Sequence, residues 1–181
     1  MDVFLEQIVA RKSTGLDLLK KVGIIVAALI LIFLFTFIIP GLQGFGGILG
    51  TIGQIFSTLG LLVAVGVIYG TYYLISGMSI EYEYILTNGE IDVDKIIARR
   101  KRKRMITVDT RNFSEFGLYK NAPKAGENVT VIMACSSPED ENTYYAICDH
   151  AKFGRCMLVF NPNEKILSHA KQFIKRQAMK V

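Results

Sequence analysis

The chain has 181 residues, 51% of them hydrophobic, and a formal net charge of +5. Its charges are unevenly spread, since residues 22–80 contain no Asp, Glu, Lys or Arg. A soluble globule would need charged side chains along such a stretch, so the pattern excludes one and predicts a segment embedded in a membrane. The three cysteines, Cys135, Cys148 and Cys156, lack the number and spacing of a disulfide scaffold, which favours a reducing compartment.

Residues 1–21 precede the first apolar run. Phe4 and Ile8, like Leu5 and Val9, lie four positions apart, which predicts a short amphipathic helix on the membrane surface. A loosely ordered tail is the alternative.

Two apolar runs follow, at residues 22–39 and 55–76. At about 1.5 Å per residue, each is long enough to cross a bilayer as a helix. Residues 40–54 between them are rich in glycine and carry no charge. They predict an external loop, either a flexible turn or a partly re-entrant segment.

Basic residues flank both ends of this apolar region, and none lies in the connecting loop. Positive charge concentrates on the cytoplasmic side of membrane proteins. The sequence therefore predicts a multi-pass protein of the cell membrane with both termini in the cytoplasm. Gly66 and Gly70 have the four-residue spacing that lets helices approach closely, which predicts packing within the hairpin or homodimerisation.

Residues 79–181 predict a cytoplasmic domain of short strands. The strands are expected at residues 79–87, 90–98, 105–108, 116–119, 128–135, 143–149 and 155–160. The Asn88-Gly89 pair predicts a two-residue hairpin between the first two. From Asn161, expected as an N-cap, the apolar spacing becomes helical over residues 162–178.

Seven strands followed by one helix are the order of a pleckstrin-homology-like (PH-like) barrel. The sequence resembles small bacterial membrane proteins that carry a PH-like domain after a helical hairpin, over residues 79–179. The resembling stretches are Tyr84-Ile-Leu-Thr-Asn-Gly-Glu-Ile, Met105-Ile-Thr-Val and Asn161-Pro-Asn-Glu-Lys-Ile-Leu. The expected fold is α+β: a two-helix transmembrane hairpin, then a seven-stranded antiparallel PH-like barrel closed by a C-terminal amphipathic helix.

Two departures limit what this resemblance implies. Eukaryotic PH-like domains usually place a Trp in the last helix; this chain has none, and Phe173 is expected in its place. Their phosphoinositide pocket uses a long basic loop where this chain has the tight Asn88-Gly89 turn. Phosphoinositide binding is therefore not expected.

The basic run Arg99-Arg100-Lys101-Arg102-Lys103-Arg104 is the strongest local feature. It is expected in the connection between the second and third strands of the domain. One interpretation is a solvated turn that enforces topology, and the other is contact with anionic lipid headgroups or an acidic protein partner. Nucleic-acid binding is disfavoured, because the aromatic side chains on which single strands stack are not interleaved with the run.

Cys135, Cys148, His150 and Cys156 are the one candidate metal constellation, but they lack a Cys-x-x-Cys pair, and buried structural cysteines are the better interpretation. No catalytic residue, metal or cofactor is predicted. The sequence predicts a non-catalytic, membrane-anchored binding or scaffold protein that presents its domain to a protein partner or to the anionic inner leaflet. The alternatives are an accessory subunit of a larger transport or secretion complex, and a metal-binding or enzymatic domain using Cys148, His150 and Cys156.

Overall fold

The computed structural model describes residues 4–126 and 128–180. Its helices and strands run in the order β1 Phe4–Ala10, α1 Gly15–Phe33, α2 Gly47–Gly77, β2 Ile80–Thr87, β3 Glu90–Ile97, β4 Lys101–Asp109, β5 Phe113–Leu118, β6 Thr130–Ala134, β7 Tyr144–His150, β8 Gly154–Phe160 and α3 Glu164–Phe173. They form two compact units. One holds α1 and α2, residues 13–78, and the other combines the described residues up to Lys12 with those from Ser79 onward.

The helical unit consists of two long apolar helices packed against each other. Thr14 and Asp17 form a capping box that starts α1. The helix continues through a π-helical turn at Leu34–Ile38, and a 3-10 turn at Pro40–Gly44 follows. Residues 15–44 and 47–77 are each long and apolar enough to cross a membrane.

Most of the glycine-rich segment at 40–54 is helical and does not form the expected loop. Only Phe45 and Gly46 separate the 3-10 turn from α2, whose first turns occupy the rest of the segment. Ile48, Leu49 and Ile52 are spaced for one helix face. Gly53 is buried, and a side chain there would lie 2.5 Å from the Gln43 backbone nitrogen. Only glycine therefore allows the close packing at this position.

The prediction of an amphipathic helix within residues 1–21 is wrong. Residues 4–10 form β1, which pairs antiparallel with β2 from Phe4 opposite Thr87 to Ala10 opposite Glu81. Leu5 and Val9 pack against the domain core. Residues four apart share a face in a strand as well as in a helix, so the spacing did not distinguish the two structures.

Eight strands form two four-stranded sheets, in the orders β1-β2-β3-β4 and β5-β7-β8-β6. The expectation of seven antiparallel strands in a closed barrel is therefore corrected: β6 pairs parallel to β8, and no closed barrel forms among the described residues. The connection after β5 carries the chain from one edge of its sheet to the other. It packs Tyr119, Ala122 and Val129 on the outer face of that sheet, which explains why β6 does not pair with β5.

The two sheets and α3 enclose one main core. Its largest fully buried side chains include Tyr84, Leu86, Leu158, Phe160 and Ile166. Asn88 and Gly89 have positive φ values of 50° and 93°, as the predicted two-residue hairpin requires. Phe173 of α3 packs on this turn so closely that a side chain at position 89 would meet its ring at 2.8 Å.

Asn163, not Asn161, caps α3, since its side chain accepts from the Ile166 amide at 2.8 Å. The Asn161 amide donates to the Tyr84 hydroxyl at 3.2 Å, and its side chain donates to Thr143 at 2.8 Å. Tyr84 in turn donates to the Ala134 carbonyl oxygen. These buried polar groups link both sheets to the start of α3, which ends at Phe173 and not at residue 178.

Candidate functional site

The basic run begins in a tight turn and continues along a strand. Ala98 and Arg99 have positive φ values of 56° and 54°, and the next turn residue, Arg100, precedes β4. Lys101 to Arg104 then form the first half of β4, paired with β3. The third predicted strand therefore starts four residues earlier than expected, and carboxylates on the neighbouring strands compensate the charges of Arg102 and Arg104 within it.

Three arginines of the run are engaged in ion pairs. Their partners all lie on β2 and β3: Arg99 pairs with Glu81 at 2.9 Å, Arg102 with Glu83 at 2.8 Å, and Arg104 with Asp92 at 2.6 Å and with Asp94. These guanidinium groups remain about half or more exposed, so solvent screens each of the pairs. The pairing nevertheless offsets much of the positive potential that the run has in the sequence.

Glu83 is the most deeply buried carboxylate of this network, with a side chain 1% exposed. Its Oε2 atom has no hydrogen-bond partner, and the Glu6 carboxyl on β1 lies beside it. Burial and the Glu6 carboxyl raise the pKa of Glu83, while Arg102 lowers it.

A second basic feature lies between the edges of the two sheets. A cleft of about 500 Å³ separates β4 from β6, closed at one side by the turn between β7 and β8. Lys95, Lys103, Arg104 and Lys152 line it together with apolar side chains that include Val131 and Phe153. No described carboxylate lines it, and none pairs with the three lysines within the described parts of the chain.

Lys95 and Lys103 stand directly opposite each other across β3 and β4. Lys95 also pairs with Tyr82 on β2, which places both lysines on the face of the sheet that covers the core. Like charges directly opposite in an antiparallel pair are destabilising. The cleft therefore concentrates uncompensated positive charge over an apolar floor.

A family model described as Bacterial PH-like domain (DUF6106) matches residues 1–180. The chain belongs to this family. The match includes β1 and both long helices, so they are part of the family pattern as well as the domain that follows them. No curated protein and no solved structure matches the chain.

The cysteines of this PH-like protein are divided between two sites. Cys148 and Cys156 face each other across β7 and β8 with their Sγ atoms 3.3 Å apart, whereas Cys135 lies in a separate apolar cluster. Burial raises the pKa of all three thiols. Metal binding needs thiolates, and no three His, Cys, Asp or Glu side chains among the described residues are arranged to hold a metal.

The glycines selected in the sequence have unequal positions in α2. Gly70 lines a groove between α1 and α2 and Gly66 does not, but a side chain at either position would meet no atom within 4 Å. Other glycines of α2 make closer approaches: a side chain at Gly53 would lie 2.5 Å from the Gln43 backbone nitrogen, and one at Gly60 would lie 3.2 Å from the Phe35 carbonyl oxygen. The intramolecular packing therefore depends on Gly53 and Gly60 more than on Gly66 and Gly70.

Sequence reasoning missed Lys95 and Lys152 as members of the basic surface. Lys95 follows Ile91 and Val93 in the two-residue alternation of a strand, so it occupies a position where an apolar residue is expected. A lysine at this position of the strand pattern could therefore have identified Lys95 as a candidate for the basic surface. Nothing in the sequence indicated that the turn carrying Lys152 lies across the cleft.

Proposed function

We propose that this chain is a non-catalytic, membrane-anchored scaffold that presents a cytoplasmic PH-like domain to a protein partner. The observation that carries the proposal is the position of the helical hairpin, which is inserted between two strands that pair with each other. Arg11 donates its amide to the Ile80 carbonyl oxygen at 3.0 Å, so the chain leaves the domain and returns to it at neighbouring positions.

This insertion supports the proposed topology. Both ends of the hairpin connect to adjacent strands of one sheet, so two crossings return the chain to the side from which it left. The connections are short: four residues separate β1 from α1, and two separate α2 from β2. The basic residues that precede α1 and follow α2 favour the cytoplasmic side.

Contact with the anionic inner leaflet is the second candidate. The Ala98 amide donates to Ser79 at 2.9 Å, which places the turn that starts the basic run beside the residue where the domain resumes after α2. Anionic lipids attract such groups by about 1 kcal/mol per basic residue. The ion pairs of Arg99, Arg102 and Arg104 reduce this attraction, so a protein partner is the first proposal.

Cysteine labelling in intact cells tests the anchor and its orientation. The native cysteines are all buried, so the unmodified chain is the background control for a membrane-impermeant maleimide. Gly46→Cys, in the exposed connection between the helices, should label from outside, whereas Lys171→Cys on the domain surface should label only after lysis. External labelling at position 171, or internal labelling at position 46, would refute the proposed topology.

A further inference from the structure

The cleft between β4 and β6 combines three features that no single structural role explains. It has three lysines without a carboxylate partner among the described residues, an apolar floor, and on each side a strand whose outer edge is unpaired. In the described chain, β4 hydrogen-bonds only to β3 and β6 only to β8.

Each wall of the cleft therefore presents backbone amide and carbonyl groups that have no strand beside them. Exposed edges of this kind pair readily with an extended chain. The β4 strand of a second copy of this chain is not a suitable partner for this edge, because it would bring a second basic run against the first. A chain with acidic side chains would pair with the edge and also neutralise the lysines.

We propose that this cleft binds an extended, acidic segment of a partner protein, which adds as a strand at the gap between the two sheets. The inference rests on the proposed scaffold function and specifies its partner. Apolar side chains on one face of the segment would pack against residues such as Val131 and Phe153, and carboxylates would meet Lys95, Lys103 and Lys152.

The opposed pair Lys95 and Lys103 argues for a ligand at this position. Replacing one of them by a neutral residue would relieve a repulsion that the free domain carries. Functional sites commonly retain such unfavourable arrangements. A lipid headgroup would use the lysines but would leave both strand edges unpaired, whereas an extended peptide uses both features.

The test measures peptide binding to the full chain in nanodiscs of phosphatidylcholine, by fluorescence anisotropy. The probe is a short fluorescent peptide of alternating Glu and Val. The matched probe replaces Val by Pro, which keeps the charge but removes the amide hydrogen of every second residue and so disrupts strand pairing. We expect the Val peptide to bind at least about tenfold more tightly than the Pro peptide. Equal affinity for the two would overturn the proposal.

The protein variants separate the cleft from general positive charge. Lys95→Gln combined with Lys103→Gln should weaken the Val peptide by about tenfold. Lys120→Gln combined with Lys171→Gln, at exposed sites elsewhere on the domain, should change affinity by less than about twofold. The cleft variant should also unfold at a higher urea concentration, because the opposed charges are gone, so lost binding cannot be attributed to misfolding. Unchanged affinity in the cleft variant would overturn the proposal.

A lipid occupant gives a different result. If phosphatidylglycerol in the nanodisc abolishes peptide binding to the unmodified chain, a headgroup occupies the cleft and the proposal fails. Undiminished binding supports it. The labelling at positions 46 and 171 needs no ligand. If the chain has the expected topology but does not bind the peptide, this inference is overturned and the proposed topology is not.

Discussion

Replacing Gln7 by Ala should destabilise the PH-like domain even though Gln7 precedes both long helices in the sequence. Its side-chain amide donates to the Asn161 carbonyl oxygen at 3.0 Å and accepts from the Asn163 amide at 2.7 Å. Each hydrogen bond contributes about 0.5–1.5 kcal/mol. Gln7→Ala should therefore lower the free energy of unfolding by about 1–3 kcal/mol.

The buried cysteines provide an assay for this change in the full chain. All three lie in the domain and none in α1 or α2, so thiol labelling during a urea titration reports unfolding of the domain in detergent. Gln172→Ala is the matched control, because Gln172 is exposed on α3; it should shift the unfolding free energy by less than about 0.5 kcal/mol. If Gln7→Ala labels at the same urea concentration as the unmodified chain, β1 does not hold the start of α3 and the assignment of residues 4–10 to the domain is wrong.

Three further predictions concern the buried carboxyl, the buried tyrosine and the helix pair. Because the pKa of Glu83 is raised in the folded domain, the native state binds more protons, so stability should fall as the pH rises above the ordinary pKa of a glutamate, about 4.5. Glu83→Gln should flatten that fall, measured by urea unfolding with tyrosine fluorescence. Tyr84→Phe leaves two buried backbone groups without a partner and should cost about 2–4 kcal/mol, whereas Tyr144→Phe should be nearly neutral in the same titration. Gly60→Leu should force the two helices apart and speed cleavage by proteinase K in detergent, while Gly66→Leu should leave the cleavage rate unchanged.

Local signals in the sequence predicted most of the individual strands. The alternation from Ser79 to Thr87 and the Asn88-Gly89 turn give β2 and β3 directly, because both signals depend on neighbouring residues alone. The arrangement of the strands was not predictable in this way. The parallel pairing of β6 with β8 depends on where the connection after β5 packs, and no local pattern encodes that path.

The candidate site was predictable in part for the same reason. A run of six basic residues is visible in any sequence, but its ion pairs with β2 and β3 require the strand register. The register also brings Lys103 opposite Lys95 and leaves it without a carboxylate partner among the described residues. The sequence therefore identified a basic surface, and the pairing of the strands decides which of its charges are available to a ligand.

Because the hairpin is inserted between β1 and β2, the domain includes β1 as well as the residues after α2. Residues 79–181, the predicted unit, lack β1, and without it β2 would become an unprotected edge while the core would lose its contacts with Leu5 and Val9. A long connection between paired strands is tolerated because the entropy of closing a loop grows only slowly with its length. The two ends of the helical unit are consequently fixed at neighbouring residues of one sheet. A partner strand added beside β4 would therefore extend the same four-stranded sheet that contains β1 and β2, the two strands between which the helical hairpin is inserted.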